Sequence, residues 1–230
     1  MNEFKYKIIR TPRRRTASVQ VSPQNEVSII VPDNLAQVKI DNIIRRKSSW
    51  IINKIKTNDA VRHPPKPKEY VSGEAFSYLG RNYRLKIARG NPQPVELKNG
   101  RFYVYVPDSV KKRDDLIRDA LGEWYKSHAK NKLRSRISMY SERVGVSCRN
   151  IKVKNLKSRW GSCSKAGNIN INWRIIMAPL SIVDYVIVHE LCHLKYHNHS
   201  KEFWRLLGQI LPDYLKRKEW LRVNGTLLTF

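Results

Sequence analysis

Hydrophobic positions along this chain change period several times, and each change marks an element. Residues 14–31 read as a β-hairpin. The β-branched runs Ser18-Val19-Gln20-Val21 and Val27-Ser28-Ile29-Ile30-Val31 flank Ser22-Pro23-Gln24-Asn25, and an Arg13-Arg14-Arg15 run precedes them. Residues 35–57 have helical period, with Val38, Ile43, Ile44, Trp50, Ile51 and Ile55 toward one side and Lys and Arg on the other. His63-Pro64-Pro65-Lys66-Pro67 cannot continue a helix and predicts an extended linker. Residues 70–107 predict short antiparallel strands, among them Tyr83–Ile87 and Phe102–Val106, with a tight turn at Lys98-Asn99-Gly100-Arg101. A long helix is expected from about Asp114 to Val144, striped by Ile117, Leu121, Trp124, His128, Leu133, Ile137 and Tyr140. His128 on that stripe is expected to be a core histidine.

Period two returns at 151–177. Ile151–Lys154 and Arg159–Ser164 read as strands, Lys165-Ala166-Gly167 as a turn, and Asn168–Trp173 alternates strictly. The pattern then changes again. Ile182-Val183-Asp184-Tyr185-Val186-Ile187-Val188 is apolar nearly all round and predicts a buried helix, opened by Ser181 and Asp184 as a capping pair. A further helix from Ser200 directs Phe203, Trp204, Leu207 and Ile210 to the core, and a last one runs from Pro212 to about Asn224-Gly225.

The buried helix ends in His189-Glu190-Leu191-Cys192-His193. Histidines four apart lie one above the other on a helix and can share one metal ion; the glutamate is placed to activate a water on it. Burying these polar groups is costly unless something satisfies them together, and a metal does. A catalytic zinc needs a third protein ligand. His199 stands ten residues after His189, the offset of the third histidine in the metzincin motif, but Tyr196 replaces that motif's glycine. His199 is favoured because it directly precedes the expected N-cap Ser200; His197 and Glu202 are the alternatives.

Composition adds two points. The net charge of +26 is spread along the chain, with basic excesses of 8, 4, 6 and 8 in residues 1–58, 59–110, 111–150 and 151–230. Such a field attracts polyanions, so nucleic acid, nucleotides and acidic proteins are plausible partners. Cys148, Cys163 and Cys192 are odd in number and irregularly spaced, which suggests a reducing compartment without structural disulfides. Cys192 is read as a small buried residue. The start of the chain has no secretory pattern and no stretch has the length of a membrane span, so a cytoplasmic location without membrane association is expected.

The ordered motifs Arg159-Trp160-Gly161-Ser162-Cys163, Asn170-Ile171-Asn172-Trp173-Arg174, Ala178-Pro179, Val188–Leu194, Asn198-His199-Ser200, Phe203-Trp204, Leu211-Pro212-Asp213-Tyr214 and Trp220-Leu221 resemble the YgjP-like metallopeptidase family, within a group that also holds the SprT-type proteases. The resemblance is strongest over about residues 150–223. It implies one Zn²⁺ held by His189, His193 and His199, with Glu190 as general base, in a zincin-like core: a twisted sheet over the metal helix. The expected fold class is therefore α+β, with a strand-rich N-terminal region over 1–110, itself divisible at the Pro-rich stretch near 59–69, and a metallohydrolase domain over 111–230 that begins with the long connecting helix.

The motif fixes the nucleophile and not the electrophile. A zinc peptidase would bind its peptide along an edge strand within 157–163 or 168–174, with Tyr196, His197, Arg159 or Tyr214 stabilising the oxyanion. A basic surface could then recruit nucleic-acid-bound proteins. A nucleotide pyrophosphatase, which some members of the family resemble, would need cations near the metal, for which Arg159, Arg174 and Lys195 are the nominees. A binding module with a structural metal and nucleic acid stacked on Trp160 and Trp173 would have no need of Glu190.

Overall fold

A computed structural model describes the chain apart from residues 1–3, 13–15, 23, 61–66 and 157, and apart from the side chains of residues 53, 56, 57 and 60. The Arg13-Arg14-Arg15 run and most of the expected linker at 63–67 lie outside the described residues. The fold is mixed α and β, in two compact units, 1–64 and 65–230.

The first unit holds β1 (Tyr6–Arg10), β2 (Ser18–Val21), β3 (Val27–Val31) and α1 (Gln37–Ala60). β2 and β3 form the expected antiparallel hairpin, and β1 adds in parallel on the other side of β3. The sequence pattern gives no sign of β1 because Lys7, Ile8, Ile9 and Arg10 are all exposed; an edge strand with little burial need not alternate. β3, buried at every second residue, meets α1 through Ile29, Val31, Ile40 and Ile44. The helix's buried stripe is thus Ile40, Ile44 and Ile51. Val38 and Trp50, expected among the inward positions, are exposed.

In the second unit β4 (Ala75–Tyr78), β5 (Arg81–Arg89), β6 (Glu96–Lys98) and β7 (Arg101–Val106) form a sheet of order β4-β5-β7-β6. The turn at Asn99-Gly100 is as expected, with both residues at positive φ. The sheet is not wholly antiparallel: β5 and β7 pair in parallel. The chain leaves β5, runs back as the outer strand β6, and turns into the slot beside β5 as β7. Side chains alternate in either direction of pairing, so the period cannot tell the two apart. β7 then packs on α2 (Arg113–Val144), the Phe102 ring lying edge-on 4.8 Å from Trp124. Phe102, Val104 and Val106 share one core with Ile117, Leu121 and Tyr125, and the division expected at 110/111 falls inside this core.

α2 also carries the C-terminal part. β8 (Asn150–Lys154), β9 (Gly161–Cys163) and β10 (Asn168–Asn172) form a second sheet of order β8-β10-β9, with β8 parallel and β9 antiparallel to the central β10. A 3-10 turn at Trp173–Met177 leads to α3 (Leu180–Cys192), which packs against α2, β9 and β10. α4 (Lys201–Ile210) and α5 (Tyr214–Asn224) close over α3.

Two contacts set the position of α3. Gly80, in the β4–β5 turn, lies so close to Pro179 that an added Cβ would fall 2.8 Å from the proline Cα. Asp184 does not cap α3, whose N-cap residue Pro179 makes no side-chain cap bond. Asp184 is instead 5% exposed, accepts from Arg136 Nε at 2.8 Å and Nη2 at 2.6 Å, and accepts from the Tyr140 hydroxyl at 3.1 Å. A buried carboxylate takes the strongest donors in reach, and the α2 guanidinium outcompetes a local cap. No helix among the described residues is long and apolar enough to cross a membrane.

Candidate metal centre

α3 is buried on almost every side from Ile182 to Cys192, and the polar residues near its C-terminus open only onto a cleft. His189 lies in its last turn. His193 is the residue after the helix and keeps right-handed helical angles (φ −67°, ψ −15°), which preserves the four-residue spacing. The chain then turns through Leu194–His199. Tyr196 N donates to Cys192 O at 2.9 Å, and Lys195 Nζ ties the turn to Val144 O at 2.8 Å. Ser200 caps α4 by accepting from Phe203 N, as expected, and this fixes the backbone next to His199.

The turn brings His199 back over α3. One ligand nitrogen from each of His189, His193 and His199 lies within 4.8 Å of the others, and Nε2 of His189 and His199 are 3.0 Å apart. His193 Nδ1 is 3.0 Å from Tyr196 O. A carbonyl only accepts, so Nδ1 carries the proton and Nε2 presents its lone pair to the cluster. Burial, then His193, His199 and Lys218, push His189 down to about 3; burial, then His193 and Lys218, also lower His199. Both rings are therefore held neutral, the form that ligates metal. Phe203 supports all three rings, with centroids 5.0, 4.6 and 4.7 Å away, and Trp204 stacks on His199 at 5.3 Å. Three imidazoles converging from fixed backbones fit a tetrahedral metal with one position open. His197 lines the same cleft but is not in the cluster, and Glu202 is exposed on α4.

Glu190 is 6% exposed, and burial pushes its carboxyl up to about 7 against the pull of Arg159. Beside it lies Gly161, at the start of β9. A Cβ on Gly161 would stand 2.5 Å from Glu190 Oε1 and 2.6 Å from its Cγ, so only glycine lets the strand pass this close. The resulting open cleft, about 580 Å³, is lined along one wall by Arg159, Gly161, Ser162 and Cys163 and floored by the histidines and Glu190. Burial and then Glu190 push the Cys163 thiol up to about 11, which leaves it protonated and inert as a nucleophile.

Other nominated residues fall elsewhere. Arg174 reaches Asn155 and covers the Trp173 ring at 4.6 Å, while Lys195 is committed to Val144 O. Of the three nominated cations only Arg159 lines the cleft, and Lys165 joins it. Among the oxyanion candidates His197 and Arg159 line it, whereas Tyr214 stacks behind Trp204 at 5.6 Å. Trp173 is buried between Tyr125 and Phe230, and Trp160 packs over Gly225. His128 lies flat on Trp124 at 3.7 Å, with Nδ1 2.8 Å from Trp124 O, in the structural role expected. Sequence pattern placed Phe203 and Trp204 in the core without showing that they hold the histidine rings. Their position three and four residues after the cap Ser200 is the signal that could have shown it.

Residues 15–224 match the family described as YgjP-like, metallopeptidase domain. The chain belongs to the YgjP-like family. Membership supports a metal-dependent hydrolase of the peptidase kind, and the three-histidine cluster supplies the donors for a divalent ion. A search among curated proteins found no match. Among solved structures, the crystal structure of the metallopeptidase zymogen of Pyrococcus abyssi abylysin is similar to part of this YgjP-like chain. It is 22% identical with a TM-score of 0.37, over 41% of this chain and 94% of that one.

Proposed function

We propose that the cleft is the active site of a zinc-dependent peptidase, in which His189, His193 and His199 hold the ion and Glu190 is the general base. The observation that carries this reading is the convergence of the three imidazoles within 4.8 Å beside a buried carboxylate, under an edge strand. Zinc, when bound, would supply Lewis acidity, lowering the pKa of water toward neutrality and polarising a carbonyl. Among the described residues β9 has a strand on one side only, β10, and its other edge is left for an extended peptide to pair with. β10 is central and has no such edge. A peptide on β9 passes over Glu190, because Gly161 adds no side chain between them. A carboxylate oxygen of Glu190 takes a proton from water and returns it to the departing amine. Arg159 and His197, on the cleft wall, supply donors for the carbonyl oxygen as charge develops on it. The sheet of β8, β10 and β9 packed on α3 supports the reading of this part as a zincin-like core.

Arg174 and Lys195, two of the three cations nominated for a triphosphate, are committed elsewhere, leaving Arg159 and Lys165 in the cleft; membership of a metallopeptidase family is what favours a peptide over a nucleotide. The test is zinc content together with hydrolysis of casein and of nucleoside triphosphates by wild type and Glu190→Gln. The expected result is retained zinc with casein hydrolysis reduced about 100-fold or more. Wild-type rates in the variant would overturn the role of Glu190. Pyrophosphate release that disappears in the variant, without peptide cleavage, would replace the peptidase by a nucleotide hydrolase.

A further inference from the structure

α1, in the first unit, carries an exposed surface of its own. Lys39, Ile43, Arg46 or Lys47, Trp50 and Lys54 follow one another at offsets of three and four, so these residues form one flank of the helix. That flank stands roughly a quarter turn from the buried stripe of Ile40, Ile44 and Ile51. Trp50 is 45% exposed, and it is the one exposed tryptophan among the described residues. Lys39, Arg46 and Lys47 are exposed and Lys54 half-buried, and none of the four makes an ion pair among the described residues. The helix's two acids, Asp41 and Asp59, lie on the opposite flank, where they accept from Gln37 and Asn25.

An indole left in water inside a row of unpaired cations combines two recognition elements. Cations at a spacing of one helical turn meet successive phosphates, and a flat exposed ring meets an unpaired base. We propose that this flank of α1 is a docking surface for single-stranded nucleic acid, with Trp50 as the stacking platform and Arg46, Lys47 and Lys54 as the phosphate contacts. A duplex would satisfy the cations and leave the ring without a base face. A membrane is a poorer fit, because an interfacial helix needs a broad apolar face and α1 has used its own on β3. An acidic protein would leave Trp50 without a partner of its own kind.

The test is anisotropy of fluorescein-labelled oligothymidylate with the full chain. Its duplex with oligoadenylate, polyglutamate, and phosphatidylserine–phosphatidylcholine vesicles serve as competitors. Trp50→Ala should weaken binding about tenfold. The combination Arg46→Glu, Lys47→Glu and Lys54→Glu should weaken it about 100-fold at low salt and flatten its salt dependence. The equally charge-reducing set Lys111→Glu, Lys112→Glu and Lys130→Glu, on and before α2, should change it less than threefold. Equal loss from both charge sets would show a general field effect and overturn the site. Failure of oligothymidylate to bind, indifference to Trp50→Ala, or equal competition by polyglutamate or vesicles would also overturn it. The outcome does not depend on the metal centre, and casein hydrolysis by the same variants keeps the two readings separate.

Discussion

α3 and α1 are both helices bearing polar residues to which a function is assigned here, yet they show those residues in opposite ways. α3 is surrounded by core, so a polar side chain on it is costly unless something satisfies it, and a histidine or carboxylate there is informative by its presence alone. α1 buries one stripe and leaves the rest to solvent, where a single lysine means little. On α1 only arrangement is informative: four cations and a tryptophan on one flank, and both acids on the other. Burial constrains single residues, whereas exposure constrains only patterns.

The largest effect should come from breaking the partner rule within α3 itself. Asp184→Ala would leave the Arg136 guanidinium, 23% exposed in the side chain, facing a vacated acceptor. About 3–5 kcal/mol of stability should be lost, since removing one member of a buried pair strands the other. Thermal or denaturant unfolding checks this, and Arg136→Met with Asp184→Leu should recover most of the loss. A drop under 1 kcal/mol for Asp184→Ala would mean that burial does not give α3's polar groups their importance.

Gly161→Ala attacks the same helix from the neighbouring strand. The added methyl must displace Glu190 or push β9 aside. Peptide hydrolysis should fall about 100-fold, a loss of the size seen when a general base is misplaced, while zinc content is kept because the histidines are untouched. Unchanged hydrolysis would detach Glu190 from the chemistry.

How far each region could be read in the sequence follows the same division. His189, Glu190, His193 and their helix stood out because an all-round apolar run cannot carry idle polar residues. Ser200 as a cap, the hairpin of β2 and β3, and the Asn99-Gly100 turn were legible because each is local chemistry. Several features were not, each for a tertiary reason. The parallel pairing of β5 with β7 leaves the alternation unchanged. The exposed strand β1 has no face to pattern. Asp184 looked like a cap because its true partner, Arg136, is 48 residues away. Trp50 was read as inward because hydrophobicity alone does not say which flank of α1 meets β3.

Trp204→Leu tests the support behind the metal ligands. It removes the stacked face from His199 while keeping apolar volume against Phe203. An aromatic pair contributes about 0.5–1.5 kcal/mol, so zinc affinity measured by competition with a chelator should fall up to about tenfold. No change would mean that the cap at Ser200 alone positions the ring.

The smallest effect is expected on α1, and its smallness is what gives the contrast content. Trp50→Ala, made on an exposed flank, should shift unfolding by no more than about 0.5 kcal/mol. A loss of 2 kcal/mol or more would show that the ring is seated against structure and is not available to a base. An unchanged stability together with weakened oligothymidylate binding would be difficult to explain in any way except by surface recognition. The two helices then differ as the physics requires: on α3 a change to a polar residue damages fold or chemistry, and on α1 it damages only what the helix meets.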